Sequence, residues 1–386
     1  MKYKKSQTKI SVKEICIYLV AMAVMTTVFF MFAETWFRPV AVYLTLRYRS
    51  LYHAFTTPEW QAMALAASFL ILICNIFLKR WSVSSRMQLR VLKRSFASCI
   101  MKTGWILLLM VMLVMIVVTV RRIQHTAMQM KKAEIIQTSI REQGKILHAA
   151  GRFTDENGVL HSYTNSVEAM ENSLKQGERY IEVDVRTTSD GELVCIHGWS
   201  YILDENGNTP ESALSYDEFT RCTTDEYLTP LTWEDVTEYM RQYPDLYIIA
   251  DVKLDRLNNY KKIAAKDPDL QDRVIAQVYH RKDIDDVYEA GYENIIFTLY
   301  KADMEELSDY AMTQLASRIP MIGITVPKRF VKNEQHLLET IASLKMPYYI
   351  HTIDKPEKIK TYLESGFDAV YTNLVGDDFP SDVVPE

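Results

Sequence analysis

The chain has 386 residues, 48% of them hydrophobic, with a formal net charge of −5, a length that suggests two or three domains. The charge is divided by position: residues 1–147 carry 21 Lys+Arg against 5 Asp+Glu, whereas residues 148–386 carry 23 against 44. The acidic portion excludes nucleic acid as a partner, and five cysteines without a CxxC pair exclude a disulfide framework and a soft-metal site.

Three apolar runs without a charge come first, at about residues 15–33, 61–78 and 104–120. Each is long enough to cross a hydrocarbon layer of about 30 Å as a helix, and basic clusters flank them, so they predict three transmembrane helices in a lipid bilayer. The first run is too long for a removable signal and has no suitably placed small-residue cleavage site. No run contains an acid or base of the kind transport sites use. Lys and Arg near span ends stay mainly on the cytoplasmic side. Twelve of them accompany the amino terminus and the second connection, and seven the other side. The tally predicts an integral protein of the cell membrane with its carboxyl-terminal part outside the cytoplasm.

Residues 121–145 read as a charged, Met- and Gln-containing helix, a stalk or linker. From 146 to 386, short apolar runs alternate with helical stretches. The candidate strands in chain order are ILHAA, YIEVDV, LVCIH, LYIIADVKL, RVIAQVY, NIIFTLY, MIGITV, PYYIHTI and DAVYTN. Amphipathic stretches between them include SVEAMENSLKQG, LTWEDVTEYMRQY, ADMEELSDYAMTQL, EQHLLETIASL and KPEKIKTYLESG. Such alternation predicts an α/β fold with a parallel sheet, closed as a (β/α)8 TIM-type barrel; a doubly wound sheet is the alternative. In VCIH, Cys195 reads as a buried strand thiol, with a bridge to Cys222 as the other possibility.

Side chains alternate along a strand, so Glu182 and Asp184 of IEVDV share one face and Ile181, Val183 and Val185 the other. A half-exposed strand would turn its acids to water, but a barrel strand turns them into the lumen, near the end where barrel active sites form. Asp251 and Lys253 of IIADVKL share a face by the same rule. Three crowded carboxylates call for a hard divalent cation with oxygen ligands, Mg2+ or Ca2+. His148 and His197 end the first two apolar runs of the acidic part that carry imidazoles, near the same rim, and with the acids they read as catalytic.

The sequence of these motifs resembles the glycerophosphodiester phosphodiesterase family. The residues that carry the resemblance are H-A-A-G at 148–151, T-N-S at 164–166, I-E-V-D-V at 181–185, T-S-D-G at 188–191 and H-G at 197–198, then A-D-V-K at 250–253 and D-A-V-Y-T-N at 368–373. It implies a metal site of Glu182, Asp184 and Asp251, an acid and base pair of His148 and His197, and a phosphate contact from Lys253. The implied reaction is hydrolysis of a glycerophosphodiester or lipid-derived phosphodiester to an alcohol and glycerol phosphate. Five positions depart from the family pattern. Ala149 stands for the phosphate-gripping Arg, Asp251 for Glu, Gly198 for Asp, His351 for Trp and Asn373 for the final Asp. Asp251 and the His-Gly pair are similar to related phospholipase D toxins, which leaves cleavage to a cyclic phosphate as one alternative. A lapsed barrel acting as a binding or regulatory module is another. Arg152 stands near enough in sequence to replace the missing Arg.

Overall fold

The structure, a computed structural model, describes residues 124–303, 305–318 and 321–380, with isolated positions between 110 and 121. The three expected spans fall outside the described residues except at those isolated positions, and among the described residues no helix is long and apolar enough to cross a membrane. The chain divides into two compact units, Met1–Met128 and Gln129–Glu386. The second holds the fold described below.

Eight parallel strands form its centre: β1 (Lys145–Leu147), β2 (Tyr180–Thr187), β3 (Tyr247–Val252), β4 (Val274–Val278), β5 (Ile295–Thr298), β6 (Gly323–Pro327), β7 (Tyr348–His351) and β8 (Ala369–Thr372). Each pairs with its neighbours in chain order. The sheet closes where β1 meets β8 through Ile146 opposite Tyr371, and β2 through Leu147 opposite Ile181. This is a TIM-type barrel. The helices that follow β1 to β7 include α1 (Val167–Lys175), α2 (Trp233–Gln242), α3 (Arg256–Lys266), α4 (Arg281–Glu289), α5 (Asp309–Arg318), α6 (Gln335–Ser343) and α7 (Pro356–Glu364).

One expected barrel strand is not part of the barrel wall. Leu193–Cys195 of LVCIH pairs antiparallel with the end of β2, Val185 opposite Cys195 and Thr187 opposite Leu193. The five-residue connection through Gly191, whose φ is 93°, is far too short for the crossover that a parallel neighbour requires. Cys195 and Cys222 are buried free thiols, so no bridge joins them.

Two apolar layers explain the closure. Ile181, Val183 and Val185 of β2 and Ile248, Ala250 and Val252 of β3 face outward into a core shared with Trp233, Val236 and Met240 of α2. The alternate residues, Tyr180 and Ile249, join Ile146, Ile275, Ile296, Ile322, Tyr349 and Tyr371 in the lower lumen. Residues 129–143 are helical and lay Ala133, Ile136 and Ile140 against this inner cluster. Their spacing puts all three on one helix face.

Polar contacts seat that helix on the loops entering the strands. Gln137 donates to the Met321 carbonyl at 2.8 Å, Lys132 pairs with Asp272 at 2.9 Å and Arg141 with Asp368 at 2.6 Å. The segment expected as a stalk therefore forms, over these residues, the floor of the barrel. With the floor filled, the upper lumen at the carboxyl ends of the strands is the place left for polar chemistry.

Candidate active site

The register of β2 against β3 sets Asp184 opposite Asp251 and Glu182 opposite Ile249. Glu182, Asp184 and Asp251 each offer an oxygen within 4.8 Å of the others, and they are 1%, 1% and 2% exposed. Burial first, then the charges of Asp184 and Asp251, pushes the Glu182 carboxyl well above its usual range. Burial also opposes the charge of Asp184, but the hydrogen bond from His197 and the Lys253 ammonium hold its carboxyl below the ordinary value.

Lys253 reaches back over the acids and contacts Asp184 Oδ1 and, at 2.5 Å, Asp251 Oδ2. Burial disfavours its charge, yet Asp251, Asp184 and Glu182 together keep the ammonium above the usual lysine range. Tyr279, just past β4, donates to the same Asp251 Oδ2 at 2.5 Å. Asp251 Oδ1 has no hydrogen-bond partner, although leaving a buried acceptor unpaired costs about 1–3 kcal/mol. Three buried carboxylates against one ammonium, all donors oxygen and one unsatisfied, suit a hard divalent cation.

Asn165 supports the cluster from the loop after β1. Its amide donates to Asp184 Oδ2 at 2.9 Å and its carbonyl accepts the Asp184 backbone N–H at 3.0 Å. Ala149 adopts a left-handed backbone, φ 49°, that lets its N–H donate to Glu182 Oε2 at 2.8 Å. The turn ends on Gly151 at φ 92°, where a Cβ would lie 2.5 Å from Ser173 Oγ and 2.9 Å from Val375. Only glycine fits there.

His148 follows β1 and takes its orientation from a relay. Asn373 donates to Asp354 Oδ2 at 2.8 Å, so its carbonyl oxygen is the atom turned to His148 Nδ1 at 3.1 Å. That oxygen only accepts, so Nδ1 carries the proton and Nε2 the lone pair. Burial holds this imidazole below its usual pKa, with opposing help from Asp184 and Asn373. His351 packs edge-on to it with ring centroids 5.0 Å apart, and burial lowers its pKa strongly too.

His197 lies beyond the short antiparallel strand, with Nδ1 2.5 Å from the Tyr163 hydroxyl and 3.3 Å from Asp184 Oδ1. Tyr163 also stacks on His148, centroids 4.8 Å apart, so one phenol touches both imidazoles. Nε2 of each histidine has no hydrogen-bond partner among the described residues. Arg152 does not enter the site; it is ion-paired with Asp378 at 2.9 Å.

All six residues singled out from the sequence thus gather at the carboxyl end of the barrel. Tyr163 and Tyr279 were not singled out. Strand alternation from Gln277 would have found Tyr279, whereas Tyr163 depends on a loop turn with φ 64° that carries no sequence signal. A second set, His280, Asp303 and Glu306, also lies within 4.8 Å. Both Glu306 oxygens there already accept backbone N–H groups, from Arg281 and Asp303.

The sequence model of the glycerophosphoryl diester phosphodiesterase family matches residues 157–377, a span that begins after His148. No curated protein matches the chain. Among solved structures, a protein from Silicibacter pomeroyi named for the same family is similar at 16% identity, covering 63% of this chain and 95% of that one with a TM-score of 0.50. A glycerophosphoryl diester phosphodiesterase from Parabacteroides distasonis is similar at 18% identity, covering 65% and 90% with a TM-score of 0.48.

Proposed function

Since the chain belongs to the glycerophosphoryl diester phosphodiesterase family and is a phosphoric diester hydrolase, we propose that it is a membrane-anchored, metal-dependent enzyme that cleaves a glycerophosphodiester outside the cytoplasm. The observation that carries the metal dependence is the buried trio of Glu182, Asp184 and Asp251, with its unsatisfied Asp251 oxygen. These three would hold Mg2+ or Ca2+. A bound divalent cation withdraws charge from phosphoryl oxygens and favours a transition state in which that charge grows.

The chain's own groups do the rest. His148, neutral and with its Nε2 lone pair free, suits the base that takes a proton from the attacking oxygen. His197 has its Nδ1 turned to the Asp184 carboxylate and the Tyr163 hydroxyl, which leaves Nε2 as the atom that would give a proton to the leaving alcohol. Lys253 offers its ammonium to a phosphoryl oxygen, a task made heavier by Ala149, which presents no guanidinium. Three charge-free apolar runs and the basic residues around them support the anchor and its orientation.

The reading is tested by phosphorus NMR of the full-length chain incubated with glycerophosphocholine, glycerophosphoglycerol or lysophospholipid, with Mg2+, Ca2+ or a chelator. Glycerol phosphate that forms only with a cation is the expected product. A cyclic phosphate from lysophospholipid would instead establish the toxin-like reaction, and no turnover of any diester would leave a binding module.

A further inference from the structure

A cavity of about 270 Å³ opens beside the catalytic centre, between the end of β2, the loop after β3 and the segment following His197. Trp199, Ala213 and Leu254 give it an apolar wall, and Arg186 and Lys262 bring two cations. Its acid, Asp255, already accepts two contacts from the Asn258 amide, at 2.9 and 3.1 Å. Lys262 donates to the Gly191 carbonyl at 2.5 Å.

Arg186 is the informative residue. It stands two positions past Asp184 on β2, and its Nε donates to the His197 carbonyl at 2.8 Å. Among the described residues its guanidinium makes no ion pair, although Asp255 lines the same cavity. Gly198 lies beside this guanidinium. A Cβ built at Gly198 would lie 3.9 Å from an Arg186 Nη atom, with 3.7 and 3.8 Å to Tyr201 and Ser200. Gly198 has φ −168°, an extended backbone open to any residue. An Asp there would meet no obstacle and would set its carboxylate against the guanidinium. The glycine leaves that cation available, half-buried and pointed at a cavity.

We propose that this cavity is a subsite for an anionic group, a phosphate or carboxylate, carried on the alcohol side of the scissile diester. Arg186 grips the anion, Lys262 adds charge, and the apolar wall takes the carbon skeleton between the two phosphorus or acid centres. The alcohol side follows from the cavity's place next to His197, so this inference rests on the reading of His197 as the proton donor to the leaving group.

The test uses the full-length chain with two diesters that differ by one phosphate, glycerophosphoinositol and glycerophosphoinositol 4-phosphate. The wild type should favour the phosphorylated diester in kcat/KM by about ten-fold or more, the usual worth of one charge-assisted contact. Arg186→Gln should bring the ratio near one. Gly198→Asp should do the same while keeping the Arg186 contact to the His197 backbone, which separates lost charge from lost structure. A wild-type ratio near one, or a ratio unchanged in both variants, would overturn the subsite. Hydrolysis of neither diester would instead overturn the enzymatic reading. The subsite is then judged by calorimetric titration with glycerophosphoinositol 4-phosphate: weaker binding in both variants supports it, and equal binding in all three proteins overturns it.

Discussion

Replacing Glu182 with Gln should stabilise the metal-free protein and blunt its response to cations. The change is nearly isosteric, and the amide oxygen can still accept the Ala149 N–H that Glu182 accepts at 2.8 Å. What disappears is a charge held within 4.8 Å of Asp184 and Asp251. At an effective dielectric of about 20, two like charges at 4.8 Å repel by roughly 3.5 kcal/mol. Glu182 faces two such neighbours and one ammonium, so removing its charge relieves about one unbalanced repulsion, about 3 kcal/mol. For a folded unit of this size that corresponds to a rise in Tm of roughly 6–12 °C.

The pH dependence gives the sign. Because the folded-state pKa of Glu182 is raised, by burial and then by Asp184 and Asp251, its favourable contribution is present in acid and lost as pH rises through that pKa. The metal-free wild type should therefore fall behind E182Q at neutral pH and draw level with it in acid. A cation at one hundred times its Kd adds about 2.7 kcal/mol to the form that binds it, and this gain should shrink sharply in E182Q. Scanning calorimetry of the full-length chain, with chelator and then with Mg2+ or Ca2+, measures both effects. Equal melting of the two chelated proteins at neutral pH, with equal cation shifts, would refute the three-acid site.

Burial lowers the pKa of His148, so kcat/KM should hold level through neutrality and fall only below the ordinary histidine range; an acid limb at or above that range contradicts its role as a neutral base. Ile140 is fully buried in the floor cluster, and Ile140→Ala should cost about 2–5 kcal/mol in denaturant titration with little change in activity per folded molecule. An unaltered transition would show that the floor helix is not docked. Ser381→Cys should react with an impermeant thiol reagent in intact cells, and reaction only after lysis would reverse the proposed orientation.

The acids were legible because strand alternation is rigid. Once IEVDV and IIADVKL are strands, Glu182, Asp184 and Asp251 must share the lumen, and Tyr180 and Ile249 on the same faces appear in the inner core. LVCIH was misplaced because an apolar run announces a strand but not its partner. The short turn before it was the better guide. The floor helix also had a signal, Ala133, Ile136 and Ile140 on one face, overshadowed by the charges of a segment beside a predicted span. At ADMEELSDYAMTQL the helical pattern starts earlier than the helix does. Ser308 accepts the Ala311 N–H at 3.3 Å and Met312 bonds back to its carbonyl, so α5 begins at Asp309. Loop-borne contributions, Tyr163 between the imidazoles and Gly198 beside the Arg186 guanidinium, depend on three-dimensional closure that no local periodicity encodes.

The proposed hydrolysis depends on the two imidazoles beside the acid cluster. The most direct measurement is single-turnover cleavage of glycerophosphoglycerol by His148→Asn and His197→Asn in the full-length chain, normalised to folded protein by calorimetry. General acid and base groups of this kind are each worth about 10²–10⁴-fold, so both variants should lose at least that lower figure while melting close to the wild type. Native rates in both would contradict these roles, because the barrel would then be cleaving its substrate without the groups assigned to move the protons.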